Sequence, residues 1–178
     1  MGKKFNDFVS SMNGEAQKKE GFNATERIET YKKVTAELYH QVDEWLREGI
    51  KAGNIKTGTA PITITEEKLG SYVIDSKWIE IGPARLELRP IGTMMIGTNA
   101  RIDLIYHSSD VMIVRVGEHI EGAFDQISVR VVGDAVPKKK PAGKPVWKYV
   151  SRHNRVSYTA LNEDSFQGLI MTLINENR

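Results

Sequence analysis

Residues 84–91 read Ala84-Arg85-Leu86-Glu87-Leu88-Arg89-Pro90-Ile91, and residues 100–106 read Ala100-Arg101-Ile102-Asp103-Leu104-Ile105-Tyr106. In both, apolar and charged residues alternate. A strand points successive side chains to opposite faces, so this period of two predicts half-buried β-strands. The pattern begins near Thr59 and predicts strands near 61–65, 71–75, 77–82, 84–91, 100–106, 111–116 and 126–132. Gly70, Gly82-Pro83, Gly92, Gly97-Thr98-Asn99, Ser108-Ser109 and Gly117 separate them, and Asp75 falls at an expected turn. Short connections favour antiparallel pairing of consecutive strands, a meander. No helix-length segment lies between the strands, which argues against a parallel α/β sheet.

Upstream the period is 3.6. Asn23 with Glu26 three residues later fits a capping box. Ile28, Tyr31, Val34, Leu38, Val42, Trp45, Leu46 and Ile50 keep one face apolar as far as Gly53-Asn54. One helix over 24–52 would be about 40 Å long. Downstream, Val146–Ser151 and Arg155–Leu161 read as two strands. Asn162 then caps a last helix with Phe166, Leu169, Ile170, Leu173 and Ile174 on one face. The expected class is α+β: a long N-terminal helix on an antiparallel β-meander, with a C-terminal strand pair and closing helix. The organisation is a weakly attached amphipathic segment over 1–22, with Phe5, Phe8, Val9 and Met12 as its stripe, and a helix plus sheet over 23–132. A Pro/Lys linker over 133–145 and a β-β-α unit over 146–178 complete it. That last unit is too small to stand alone. It packs on the main domain or on a neighbouring subunit. The long helix and this tail are the two grounds for expecting a homo-oligomer.

Composition removes several chemistries. The 178 residues contain no Cys, which excludes disulfides, thiol nucleophiles and Cys-ligated zinc. No apolar run approaches the roughly 20 residues that span a bilayer. Met1-Gly2-Lys3-Lys4-Phe5 lacks the apolar core of a secretory signal, so a cytoplasmic location without membrane contact is expected. None of His40, His107, His119 and His153 sits three or four residues from another, the helical spacing that lets two histidines share a metal. Gly92 to Gly97 has glycine spacing like a phosphate loop, but Thr98 and Asn99 stand where Lys and Ser/Thr are needed. No Gly-x-Ser-x-Gly occurs. No motif implies a cofactor, and the balance leans away from an enzyme. A metal-dependent hydrolase or nuclease built on Asp75, Lys77 and Asp103 is the one catalytic alternative, because carboxylates bind Mg²⁺ while a Lys orients water.

Two surfaces carry binding expectations. Lys+Arg 25 against Asp+Glu 23 gives a formal charge of only +2, but the cations are uneven. Arg85, Arg89, Arg101, Arg115 and Arg130, with Asp103, are expected on the polar sheet face, where guanidinium forks suit an anion. The plainer reading of that face is solvated ion pairs of little worth. The second surface is the acid-free stretch holding Lys138, Lys139, Lys140, Lys144, Trp147, Lys148, Arg152 and Arg155. Cations interleaved with aromatics suit nucleic acid or another polyanion. The plainer reading puts Trp147 and Tyr149 in the core.

At Ile91-Gly92-Thr93, Ile96-Gly97 and Arg101-Ile102-Asp103 the chain resembles a family of uncharacterised bacterial proteins. The similarity continues at Leu69-Gly70-Ser71-Tyr72, Trp147-Lys148 and Leu161-Asn162-Glu163-Asp164-Ser165-Phe166, covering most of residues 38–175. The resemblance implies a bacterial origin and no mechanism. Where such sequences have a proline-rich stretch before the Trp, this one is lysine-rich. The expected function is a non-catalytic, self-associating cytoplasmic binding or assembly protein.

Overall fold

A computed structural model describes residues 23–93, 98–122, 143–151 and 156–177. Helix α1 (Ala24–Trp45) is followed by the short α2 (Arg47–Lys51). Seven strands come next among the described residues: β1 (Ile55–Glu66), β2 (Gly70–Ile81), β3 (Ala84–Gly92), β4 (Ala100–Tyr106), β5 (Ser109–Gly117), β6 (Pro145–Ser151) and β7 (Ser157–Ala160). Helix α3 (Glu163–Glu176) closes the chain. The strands form one antiparallel sheet in sequence order, a seven-stranded meander. The α+β class expected from the period-two pattern is the class observed. No helix among the described residues is long and apolar enough to cross a membrane.

The two long helices, α1 and α3, start where polar side chains meet their first free N–H groups. Asn23 Oδ1 accepts from the Glu26 N–H at 3.1 Å, and Asn162 Oδ1 from the Ser165 N–H at 2.9 Å. Helix α1 is 22 residues, about 33 Å, rather than one rod to residue 52. It is interrupted at Leu46, whose side chain is buried and whose φ of −100° and ψ of 5° leave the helical range, and α2 follows at once.

The main core lies between the two helices and one sheet face. Leu38, Val42 and Leu46 from α1 and Phe166, Ile170 and Leu173 from α3 meet Ile79, Leu86, Leu88, Ile102, Leu104 and Ile113. The C-terminal unit therefore completes the sheet and core of its own chain. A smaller cluster covers part of the opposite face: Val114, Val116 and Val150, with Ile120 from the turn after β5.

Two strands expected over 71–75 and 77–82 are one 12-residue strand, and Asp75 lies inside it opposite Pro61. The pattern misleads here because Ser76 and Lys77 are consecutive buried residues. On one side of them Tyr72 and Ile74 are buried, on the other Ile79. The β1–β2 register runs through without an inserted residue, so the change of buried face is the twist of a long two-stranded ribbon rather than a bulge. β2 pairs with β3 only from Lys77 onward, which leaves the outer half of the hairpin free to twist. The strand expected over 126–132 and most of the linker expected over 133–145 lie outside the described residues, as does the segment 1–22.

Three tyrosines tie this ribbon and α1 to the sheet. Tyr39 Oη donates to backbone carbonyls of Asp75 and Leu88, Tyr31 Oη to Arg101 O at 2.6 Å, and Tyr72 Oη to Glu66 Oε1 at 2.6 Å. Burial raises all three phenols well above the ordinary value near 10. The unfolded chain releases these protons near pH 10 while the folded chain keeps them, so stability falls as pH rises past that point. Alkaline unfolding should release about three protons from this source, and Tyr72→Phe should reduce that number by about one. Urea unfolding as a function of pH, read with phenolate absorbance, measures it.

Candidate functional site

The expected arginine face is only partly one face. β2–β5 register places Arg85, Arg89, Arg101 and Asp103 on the side away from the helices. Each arginine there has a carboxylate. Arg85 Nη1 lies 2.6 Å from Glu80 Oε1, and its guanidinium stacks 4.9 Å from the Trp78 ring. Arg89 lies 3.4 Å from Glu87. Arg101 grips Asp103 through two parallel bonds of 2.7 and 2.6 Å, which raises the guanidinium above its usual value. The plainer reading, ion pairs on a strand surface, describes Arg85 and Arg89, whereas the Arg101–Asp103 pair is largely buried. Arg130 lies outside the described residues.

Arg115 departs from the expectation. It pairs with Ala100 on one side and Trp147 on the other, in line with Ile113, and so points to the helix side. Alternation within a strand is readable from sequence, but which of two faces a strand offers depends on register with its neighbours.

The basic C-terminal stretch is divided as well. Lys148 is 6% exposed, and its ammonium donates to the carbonyls of Glu118 at 2.8 Å and Ile120 at 2.7 Å. It secures the turn beneath the Val114 cluster and is not presented to a phosphate. Trp147 and Tyr149 pack against the main core. Lys144 is exposed, and its carbonyl accepts from the Glu118 N–H. Lys138, Lys139, Lys140, Arg152 and Arg155 lie outside the described residues.

Of the three residues of the hydrolase alternative, Asp75 and Lys77 line one cleft and Asp103 does not join them. Lys77, Leu88 and Leu104 form one row on the helix side, and Asp103, the next residue along β4, faces the other way. Lys77 is 2% exposed and pairs with Asp43 at 2.8 Å, with Thr57 Oγ1 donating to the same carboxylate. This pair borders a cleft of about 500 Å³ between α1 and the hairpin, lined also by Lys32, Tyr39, His40 and Asp75. Its two cations face two carboxylates, so its charges are balanced internally.

A second cleft, about 350 Å³, lies at the start of α1. Its construction begins with Glu66, buried at the end of β1. Glu66 accepts from Tyr72 Oη and, at 2.8 Å, from the Thr93 N–H. Thr93 is 0% exposed and in turn holds Arg27, whose Nε reaches Thr93 Oγ1 at 2.9 Å and whose Nη2 reaches Thr93 O at 2.7 Å. This chain docks the first turns of α1 on the sheet beside β5. Arg27 and Arg115 thereby line one cleft, with Asn23, Glu26, Asn99 and Val34. Arg115 is half-buried and makes no hydrogen bond or ion pair among the described residues. Burial pulls its guanidinium below the usual value, offset in part by the more distant Glu37.

Arg27 is not among the candidates that strand alternation offers, although its position carries a signal. A cation in the first turn of a helix opposes the helix dipole, so such a residue implies a specific partner elsewhere. Asn99 offered no comparable signal.

Comparison with protein-family models, with curated proteins and with solved structures returns no match.

Proposed function

We propose that this protein is a non-catalytic binding protein of the bacterial cytoplasm, with its ligand site at the start of α1. One contrast carries the reading. Asp103, Lys77 and Lys148, three charged members of the catalytic and polyanion-binding sets that lie among the described residues, are committed to partners inside the fold. Arg115 is not, and it lines a cleft. Unpaired, partly desolvated charge is unfavourable in the free protein, and a ligand that pairs it recovers that cost.

Self-association, the other half of the expectation, draws less support from this fold. The tail is built into its own chain's sheet, and α1 buries its apolar stripe on that same sheet. Binding rather than assembly is therefore the part of the reading that the geometry supports best.

The test is a thermal-shift screen of the full chain against a mixed set of small metabolites, with light scattering alongside. A ligand that binds only the folded state raises the melting temperature in proportion to its occupancy. The expected result is a small number of stabilising compounds whose effect disappears in Arg115→Gln. Stabilisation by none, or hits indifferent to Arg115, would count against the reading.

A further inference from the structure

We infer that the ligand of this cleft presents an oxyanion, a carboxylate or a phosphate, to the guanidinium groups of Arg115 and Arg27. The inference rests on the binding reading above and names the chemistry of its ligand.

Arg115 supplies the free fork. A guanidinium has five N–H donors in a fixed plane, a geometry that matches two oxygens of a carboxylate or phosphate. None of those donors has a partner among the described residues. Ala100, directly across from Arg115 on β4, is 0% exposed and packs with Tyr31 and Val34. A methyl group at that position keeps the floor low beneath the arginine.

Arg27 supplies the fixed donor. Its Nε and Nη2 are committed to Thr93, which locks the plane of the guanidinium. The remaining N–H groups on Nη1 are consequently held in place before any ligand arrives. Pre-organised donors bind more tightly than free ones because less rotamer freedom is lost. Arg27 is held, in addition, by a carboxylate one step removed, since Thr93 leans on Glu66.

Glu26 sets the limit on charge. It lines the same cleft and is exposed, so the lining carries two cations against one carboxylate. That balance suits a single anionic head group and disfavours a run of phosphates. A polynucleotide is thus a poor fit, whereas a small organic acid or a phosphate monoester is a good one.

The experiment is calorimetric titration of the full chain, at low ionic strength, with inorganic phosphate and separately with acetate. Charge-assisted hydrogen bonds of this kind correspond to a loss of about tenfold or more in affinity when the donor is removed. The expected result is saturable binding of at least one anion below about 10 mM, weakened by that factor in Arg115→Gln. Glu26→Gln should tighten binding severalfold, a gain that a damaged fold would not produce. Phosphate bound without acetate identifies a phosphate ligand, and the reverse a carboxylate. No binding of either anion, or no change in the Arg115 and Glu26 variants, overturns the inference. A neutral metabolite that stabilises the wild type and fails on Arg115→Gln would overturn the oxyanion class while leaving the binding reading standing.

Discussion

Replacing Phe166 by Ala is expected to lower the free energy of unfolding by about 3–5 kcal/mol. Phe166 is 0% exposed, and its ring lies 5.5 Å from that of Trp45, centroid to centroid. One residue on, Gln167 Nε2 donates to the Trp45 carbonyl at 2.9 Å, which clamps α3 against the end of α1. Deleting the ring removes a large apolar group and leaves a hole that three elements line. Against a typical total of about 5–15 kcal/mol, that is a major fraction. The form of the result matters as much as its size. Because α3 shares its core with Leu88, Leu104 and Ile113, the loss should appear as one cooperative urea transition at a lower midpoint. A first transition confined to the tail would show that α3 is an appendage. A midpoint that rises with protein concentration would show that the tail docks on a second copy instead.

Phe166 also shows what could be read in advance. Its face of α3 was visible from spacing alone, because a period of 3.6 sets the buried stripe wherever the helix docks. What the helix docks on was not visible. The same asymmetry runs through the sheet. The alternation at Arg85-Leu86-Glu87-Leu88 places Leu86 and Leu88 in the core and the charges outside, as observed. Two strands long enough to twist out of their plane break that logic, and the Ser76-Lys77 step is where it happens. There a lysine is buried by pairing with Asp43, 34 residues earlier, and no local pattern announces such a partner.

The candidate cleft was less legible still. Arg115 is expected on the polar face and lies on the other, since its side of the sheet follows from pairing with Ala100 and Trp147. Its neighbour in the cleft, Arg27, is 88 residues away in sequence and arrives through a hydrogen-bonded chain from Glu66 through Thr93. Sites assembled by such relays depend on tertiary distances that periodicity does not encode. Lys148 departs from its expected exposure for the opposite reason. Composition counted Lys148 as a surface charge, but a strand position facing a covered patch buried it on two carbonyls.

Removal of the Arg101 side chain should be about as damaging as the loss of Phe166, and it separates a structural arginine from a ligand-binding one. Asp103 is 8% exposed at its side chain, and both its oxygens are taken by Arg101, itself 20% exposed. Arg101→Ala strands a carboxylate where water scarcely reaches. Breaking a buried pair from one side typically costs about 3–5 kcal/mol, most of it the penalty of the charge left behind. That origin has a consequence: removing the second charge should restore much of what the first removal cost. Arg101→Ala with Asp103→Leu is therefore expected to be markedly more stable than Arg101→Ala alone, approaching the parent. A double-mutant cycle by urea denaturation reads the coupling directly. If Arg101→Ala instead leaves stability within about 0.5 kcal/mol of the parent, the ion pair is not what holds that part of the sheet. Arg101 would then rejoin Arg115 as a cation available to an anionic ligand. The expected large loss, rescued by its partner's removal, assigns Arg101 to the fold and leaves the cleft at the start of α1 as the place, among the described residues, where a guanidinium is free to bind.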